Sequence, residues 1–139
     1  MRPHIAISLL LMLVGCTTQR DLPAYVYTPP VVVSLKSMYQ TNNCSVLIFT
    51  FTNISSNSMS YGGYDREHPV YYYQFKNREP SSNDGDEIVP SYQLAPGQSG
   101  TFQIKLEELH SVPFRAGMMM SEEYTTDTSD IYWSPYVTP

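Results

Sequence analysis

The side chains with reactive potential are two thiols, three imidazoles, a clustered set of acids and twelve tyrosines. Cys44 has no basic or histidine neighbour in sequence to lower its pKa, so a nucleophile is not expected there. A small buried hydrophobe at a strand start is the structural alternative. His4, His68 and His110 are far apart. Zinc needs three or four converging ligands, and no further His or Cys stands at ligand spacing. The run Asn83-Asp84-Gly85-Asp86-Glu87 offers carboxylate oxygens, but its spacing is not that of an EF-hand loop, so it reads as a solvated hairpin tip. Met118, Met119 and Met120 would want histidines close by to hold copper, and packing is their default. No G-x-S-x-G turn gathers a serine, a histidine and an acid into a triad. No catalytic residue, metal or cofactor is expected, and an enzyme is not. The tyrosines remain. Tyr61, Tyr64, Tyr71, Tyr72 and Tyr73 crowd one stretch. Aromatic rings on a sheet face can stack on sugars or anchor a protein partner. Tyr61, Tyr64 and Tyr72 are the candidate contact surface. Tyr72 is the best placed for exposure, because Tyr71 and Tyr73 share a strand face with Phe75. Core filling is the alternative for all of them.

The second thiol has a different context. Met1-Arg2-Pro3-His4 carries positive charge and no acid, and Ile5 to Val14 is apolar apart from Ser8. Charge followed by a short apolar core is the layout of an export signal. As a helix the core would reach only about 15 Å, half of a bilayer's hydrocarbon thickness of roughly 30 Å. Its end, Leu13 and Val14, runs into Gly15 and Cys16, and this run resembles the lipobox of bacterial lipoproteins. The resemblance implies a diacylglyceryl thioether on Cys16, cleavage before it that needs the small Gly15, and acylation of the new amine. Each buried methylene contributes about 0.8 kcal/mol, so two or three chains would hold the protein on a membrane without crossing it. Thr17, where an Asp would imply inner-membrane retention, points to the outer membrane in a cell with two membranes. Cys44 would then have no partner for a disulfide within the chain.

The expected division is a signal peptide over 1–15, a lipidated Cys16 with an extended tether over 16–30, and one domain over 31–139. Without the signal the chain loses Arg2, leaving seven cationic and thirteen acidic side chains, a formal charge of −6. No basic patch is present, which argues against nucleic acid as a partner.

The domain reads as β throughout. Val31, Val33 and Leu35 share a face. Cys44 to Thr52 is apolar on both faces, which implies a central strand. Short strands are expected at Met59–Tyr61 and Ile88–Leu94, and a longer one over Val70–Lys76. Asn77–Glu87 reads as a long loop. Pro96-Gly97 suits a type II turn, with Gly97 taking the positive φ. Thr101 to Leu106 alternates, with Phe102, Ile104 and Leu106 inward. Phe114 to Met120 and Asp130 to Val137 complete about seven strands, the number of a two-sheet antiparallel sandwich.

Asn53 to Ser55, Tyr61 to Tyr64, Pro69 to Tyr71, Leu94 to Ser99, Phe114 to Gly117 and Trp133-Ser134 together resemble the pattern of immunoglobulin-like domains in bacterial lipoproteins of unknown function. The resemblance spans roughly residues 31–137 and implies an all-β, immunoglobulin-like sandwich without catalytic residues. It lacks the inter-sheet disulfide of antibody domains. The functional expectation is a non-catalytic interaction or structural module in the bacterial cell envelope, held to a membrane by lipid, with an envelope protein as partner. The alternative is recognition of a small ligand or glycan through surface tyrosines.

Overall fold

A computed structural model describes residues 27–85, 87–107, 112–122 and 131–139. The signal segment, Cys16, most of the tether, Asp86 and His110 lie outside the described residues. Nine strands occur among the described residues, and no helix does. They are β1 (Val31–Thr41), β2 (Cys44–Asn53), β3 (Met59–Gly62), β4 (Tyr72–Phe75), β5 (Ser81–Ser82), β6 (Ser91–Leu94), β7 (Ser99–Leu106), β8 (Phe114–Ser121) and β9 (Ile131–Trp133). All pairings are antiparallel. One sheet has the order β1-β2-β7; the other runs β5-β4-β8-β3-β6, with β9 also on β8. The fold is the expected all-β sandwich.

The first sheet grows from a hairpin. Asn42 and Asn43 both take positive φ, 41° and 68°. Two such residues make a tight turn whose twist matches that of the strands, and asparagine tolerates this conformation. β1 therefore continues to Thr41, beyond the Leu35 at which its apolar alternation stops. Leu35 pairs with Phe49 but Ser37 with Ile48, so Lys36 is an extra residue in a bulge. Before the bulge Val31 and Val33 are buried; after it β1 is exposed. β2 sits between β1 and β7, as its two apolar faces require.

Leu47, Phe49 and Phe51 of β2 and Phe102, Ile104 and Leu106 of β7 form one wall of the core. Met59, Tyr61, Leu94, Phe114, Ala116, Met118 and Met120 form the other. The Phe49 and Phe102 rings stack at 5.5 Å, and Phe114 meets Phe49 edge-on at 6.1 Å. Each fully buried ring or leucine contributes about 1.5–3 kcal/mol, which makes this seam the main source of stability. Gly100 on β7 lets the Phe51 ring lie against the backbone; a Cβ there would come within 2.3 Å of Phe51 Cζ. The Pro96-Gly97 turn forms as expected, with Gly97 at φ 76° and Gln98 N–H donating to Ala95 C=O at 3.0 Å.

Asn53, fully buried, ties the sheets together. Its Nδ2 donates to Leu94 C=O at 2.9 Å and to Asn57 C=O at 2.8 Å. Its Oδ1 accepts from the N–H and hydroxyl of Ser55. One strand that was not expected, β5, forms inside the expected 77–87 loop, where Ser81 and Ser82 pair with Tyr73 and Tyr72.

Candidate functional site

β3 and β4 both run antiparallel to β8, with Tyr61 opposite Met120 and Tyr72 opposite Gly117. The chain from Tyr61 to Tyr72 thus advances only three positions along β8, and the surplus loops out. A Gly63–Pro69 bridge closes the base of this excursion. Val70 N–H donates to Gly62 C=O at 2.8 Å and Tyr64 N–H to His68 C=O at 2.9 Å. Asp65 organises the tip: its Oδ1 accepts the N–H groups of Glu67 and His68 at 2.7 and 2.8 Å. The carboxylate also meets His68 Nδ1 at 2.8 Å. The bond to His68, helped by the two backbone donors, holds the Asp65 carboxyl below the ordinary range. A short side chain that accepts from the N–H groups two and three residues on is the usual reason for Asp at such a turn.

Tyr64 leans from this loop toward β5. Its hydroxyl reaches the carbonyl oxygens of Asn83 and Asp84 at 3.5 and 3.4 Å. Partial desolvation, then the carboxylates of Glu87 and Asp84, raise the Tyr64 hydroxyl above its usual pKa. Asn83 fastens the β5 turn to the start of β4, with its Oδ1 accepting Tyr71 N–H at 2.8 Å and its own N–H donating to Tyr71 C=O at 3.2 Å. Of the Asn83–Glu87 run, expected as a solvated tip, Asn83 is turned inward for this contact, while Gly85 and Glu87 are exposed.

A cleft of about 570 Å³ opens between these elements and the first sheet. Tyr64, Glu67, His68, Tyr71 and Asn83 bound one side; Ile48, Thr101, Phe102 and Gln103 bound the other. A second hollow of about 300 Å³ continues from it, between Tyr73, Phe75 and Ser82 and the stretch from Ile104 to Glu107. Tyr71 and Asn83 belong to both. Tyr71 stacks on Phe102 at 5.1 Å with 13° between planes, and burial raises its hydroxyl pKa. The cleft thus has an aromatic floor and a polar rim.

The three tyrosines of the expected contact surface are not brought together. Tyr61 is only 4% exposed, packing on Phe51 at 5.3 Å and Tyr92 at 6.0 Å. It shares strand parity with buried Met59, which turns its ring inward; its hydroxyl alone reaches out, to Arg66 C=O at 3.4 Å. The expectation that Tyr61 is a surface residue is corrected. Tyr64 is 46% exposed and stands at the cleft. Tyr72 is half-buried on the strand face opposite that of Tyr71 and Tyr73, so it cannot act with Tyr64. Tyr71, Asn83 and Gln103 enter the site although sequence reasoning did not single them out for binding. The strand parity that places Tyr71 on the core side says nothing of a sheet edge beside it.

A second aromatic surface lies on the outer face of the other sheet. Arg115 sits 4.5 Å from the Trp133 ring centre and 5.1 Å from that of Tyr136, and donates to Gln74 Oε1 at 2.7 and 2.9 Å. These groups satisfy one another. Among the described residues no three His, Cys, Asp or Glu side chains converge to hold a metal. Cys44 is half-buried, opposite Thr41 at the hairpin end. No protein-family model matches the chain, and no curated protein matches it.

Proposed function

We propose that this chain is a lipid-anchored protein of the bacterial cell envelope whose sandwich domain is a non-catalytic binding module. Its place rests on Leu13, Val14, Gly15 and Cys16 behind an apolar core. In a cell with two membranes, Thr17 directs it to the outer one. The observation that carries the binding role is the cleft, with Tyr71 stacked on Phe102 as its floor and Gln103, Glu67 and Asn83 around it. Concave sites with apolar floors and a few converging polar groups are where ligands and partner segments dock. Two measurements test the two halves. Intact mass of the purified protein should show a chain beginning at Cys16 and carrying acyl groups, and Cys16→Ser should release it from membranes. A photocrosslinking residue at Gln103 should capture an envelope partner that the same residue at Ile88, fully exposed elsewhere, does not.

A second reading is a glycan ligand, favoured by the exposed Tyr64 ring beside Thr101 and Gln103. Calorimetry against peptidoglycan and polysaccharide fragments checks it, with heat that disappears in Tyr64→Ala as the supporting result.

A further inference from the structure

The two hollows are lined by every residue of β7 from Thr101 to Leu106, of both parities, and then by Glu107. A hollow over a sheet face is lined by alternate residues. One that takes consecutive residues runs along the strand's edge. Among the described residues that edge pairs with no other strand. Asn53 N–H donates to Gln98 C=O at 3.0 Å and Asn53 C=O accepts Gly97 N–H at 2.7 Å, whereas Ile54 N–H donates the other way, to Pro30 C=O at 2.9 Å. With the alternation of an antiparallel ladder, Phe51, Phe49 and Leu47 bond across to Gly100, Phe102 and Ile104. Thr101, Gln103 and Lys105 then point their N–H and C=O groups away from β2. Among the described residues β7 pairs with β2 alone.

The opposite wall carries Tyr71, Tyr73 and Phe75, at a spacing of two. All three are half-buried. A strand laid beside β7 would present every second side chain to this row. The rim carries Glu67 and Glu107 against Lys105, and the His68 ring there is already held by the Asp65 carboxylate. Asp84 and Glu87 lie close enough to Tyr64 to disfavour loss of its proton.

We propose that the β7 edge takes an extended peptide segment from a partner protein as an added strand, apolar at alternate positions and basic at its ends. This rests on the binding-module reading above and names the partner's chemistry. Backbone pairing supplies affinity, and the aromatic wall selects the alternate side chains. The negative rim selects the basic ends. It also disfavours a second copy of this chain, which carries a net charge of −5.

The test uses the full chain in detergent and three fluorescent nine-residue probes. One alternates Val with Thr between terminal lysines; one replaces those lysines with glutamates; one is the lysine probe N-methylated at alternate amides. Fluorescence anisotropy should show the lysine probe binding at least ten times more tightly than either of the others. Gln103→Pro removes one outward N–H at a strand edge, where proline is tolerated, and should lower affinity at least tenfold with the thermal transition retained. Should that variant unfold, the N-methylated probe still decides the question. Equal binding of the methylated and unmethylated probes overturns strand addition. So does a lysine probe that binds no better than about 1 mM, the range of a nonspecific contact. Dimerisation through β7, or competition by glycan fragments alone, would also overturn it. The Gln103 crosslink of the previous section is read separately: a captured partner with no strand-like probe binding leaves a binding module that works by other contacts.

Discussion

Replacing Asn53 with alanine removes four hydrogen bonds from one buried side chain. Two are donated to Asn57 and Leu94 carbonyls, and two are accepted from Ser55. A typical bond contributes about 0.5–1.5 kcal/mol net, and a buried carbonyl left without its donor costs about 1–3 kcal/mol. Ser55 can turn to water, since it is only half-buried, so its two bonds count at the low end. The buried bond to Leu94 counts at the high end. The expected loss is about 3–4 kcal/mol, a fall in melting temperature of roughly 12–16 °C for a domain of this size. Urea denaturation followed by circular dichroism measures it, with an unchanged slope showing that the unfolded state is not the cause. Asn53→Asp sharpens the test. It keeps an acceptor for Ser55 but turns a carboxylate oxygen toward two carbonyls, so its folded pKa should rise above the unfolded value of about 3.9. A raised carboxylate contributes stability below the unfolded pKa that is lost as pH rises. The variant should therefore be more stable relative to the parent in acid than at neutral pH. A loss below about 1 kcal/mol in Asn53→Ala, or an aspartate variant that gains on the parent as pH rises, would refute this account of how the sheets are joined.

Three further outcomes follow from the same packing. Gly100→Ala places a Cβ within 2.3–2.9 Å of three Phe51 ring atoms, and should cost about 1–3 kcal/mol in urea titration, while Gln103→Ala, exposed three residues further along β7, changes little. Ser45 Oγ is buried with no hydrogen-bond partner among the described residues, so Ser45→Ala should leave the melting temperature unchanged or raise it by the equivalent of about 1 kcal/mol. Burial raises the hydroxyl pKa of Tyr61 and of Tyr71, with Tyr92 and Asp65 adding to the first and Tyr73 to the second, and Arg66 opposing at Tyr61. Their neutral forms favour the fold below an unfolded pKa of about 10, and that contribution is lost as pH rises through the folded values. Near-ultraviolet absorbance should then show these tyrosines ionising late, with unfolding, and Tyr71→Phe should lessen the alkaline loss.

Much of the sandwich was legible along the chain. The alternation from Thr101 to Leu106 named the inward residues of β7, and the two apolar faces of the segment from Cys44 placed it centrally. Pro96-Gly97 named its turn. Each of these is decided within a few residues, by side chains that alternate across a pleat or by a φ that only certain residues take. The Asn42-Asn43 hairpin was equally local, and its signal passed unread because the apolar pattern ends before it. The residues from Leu13 to Cys16 likewise stand on sequence alone.

The cleft was decided elsewhere. Period two tells that Tyr71 and Tyr73 share a side, but not that β7 faces them with an edge that no other described strand covers. Nor does it show that the chain between Tyr61 and Tyr72 loops away from β8. Tyr61 went inward because Phe51 and Tyr92, distant in sequence, supply its packing. Which strands become neighbours is settled by burying the largest apolar area at once over the whole chain, and that optimum is a property of long-range contacts that no local window contains.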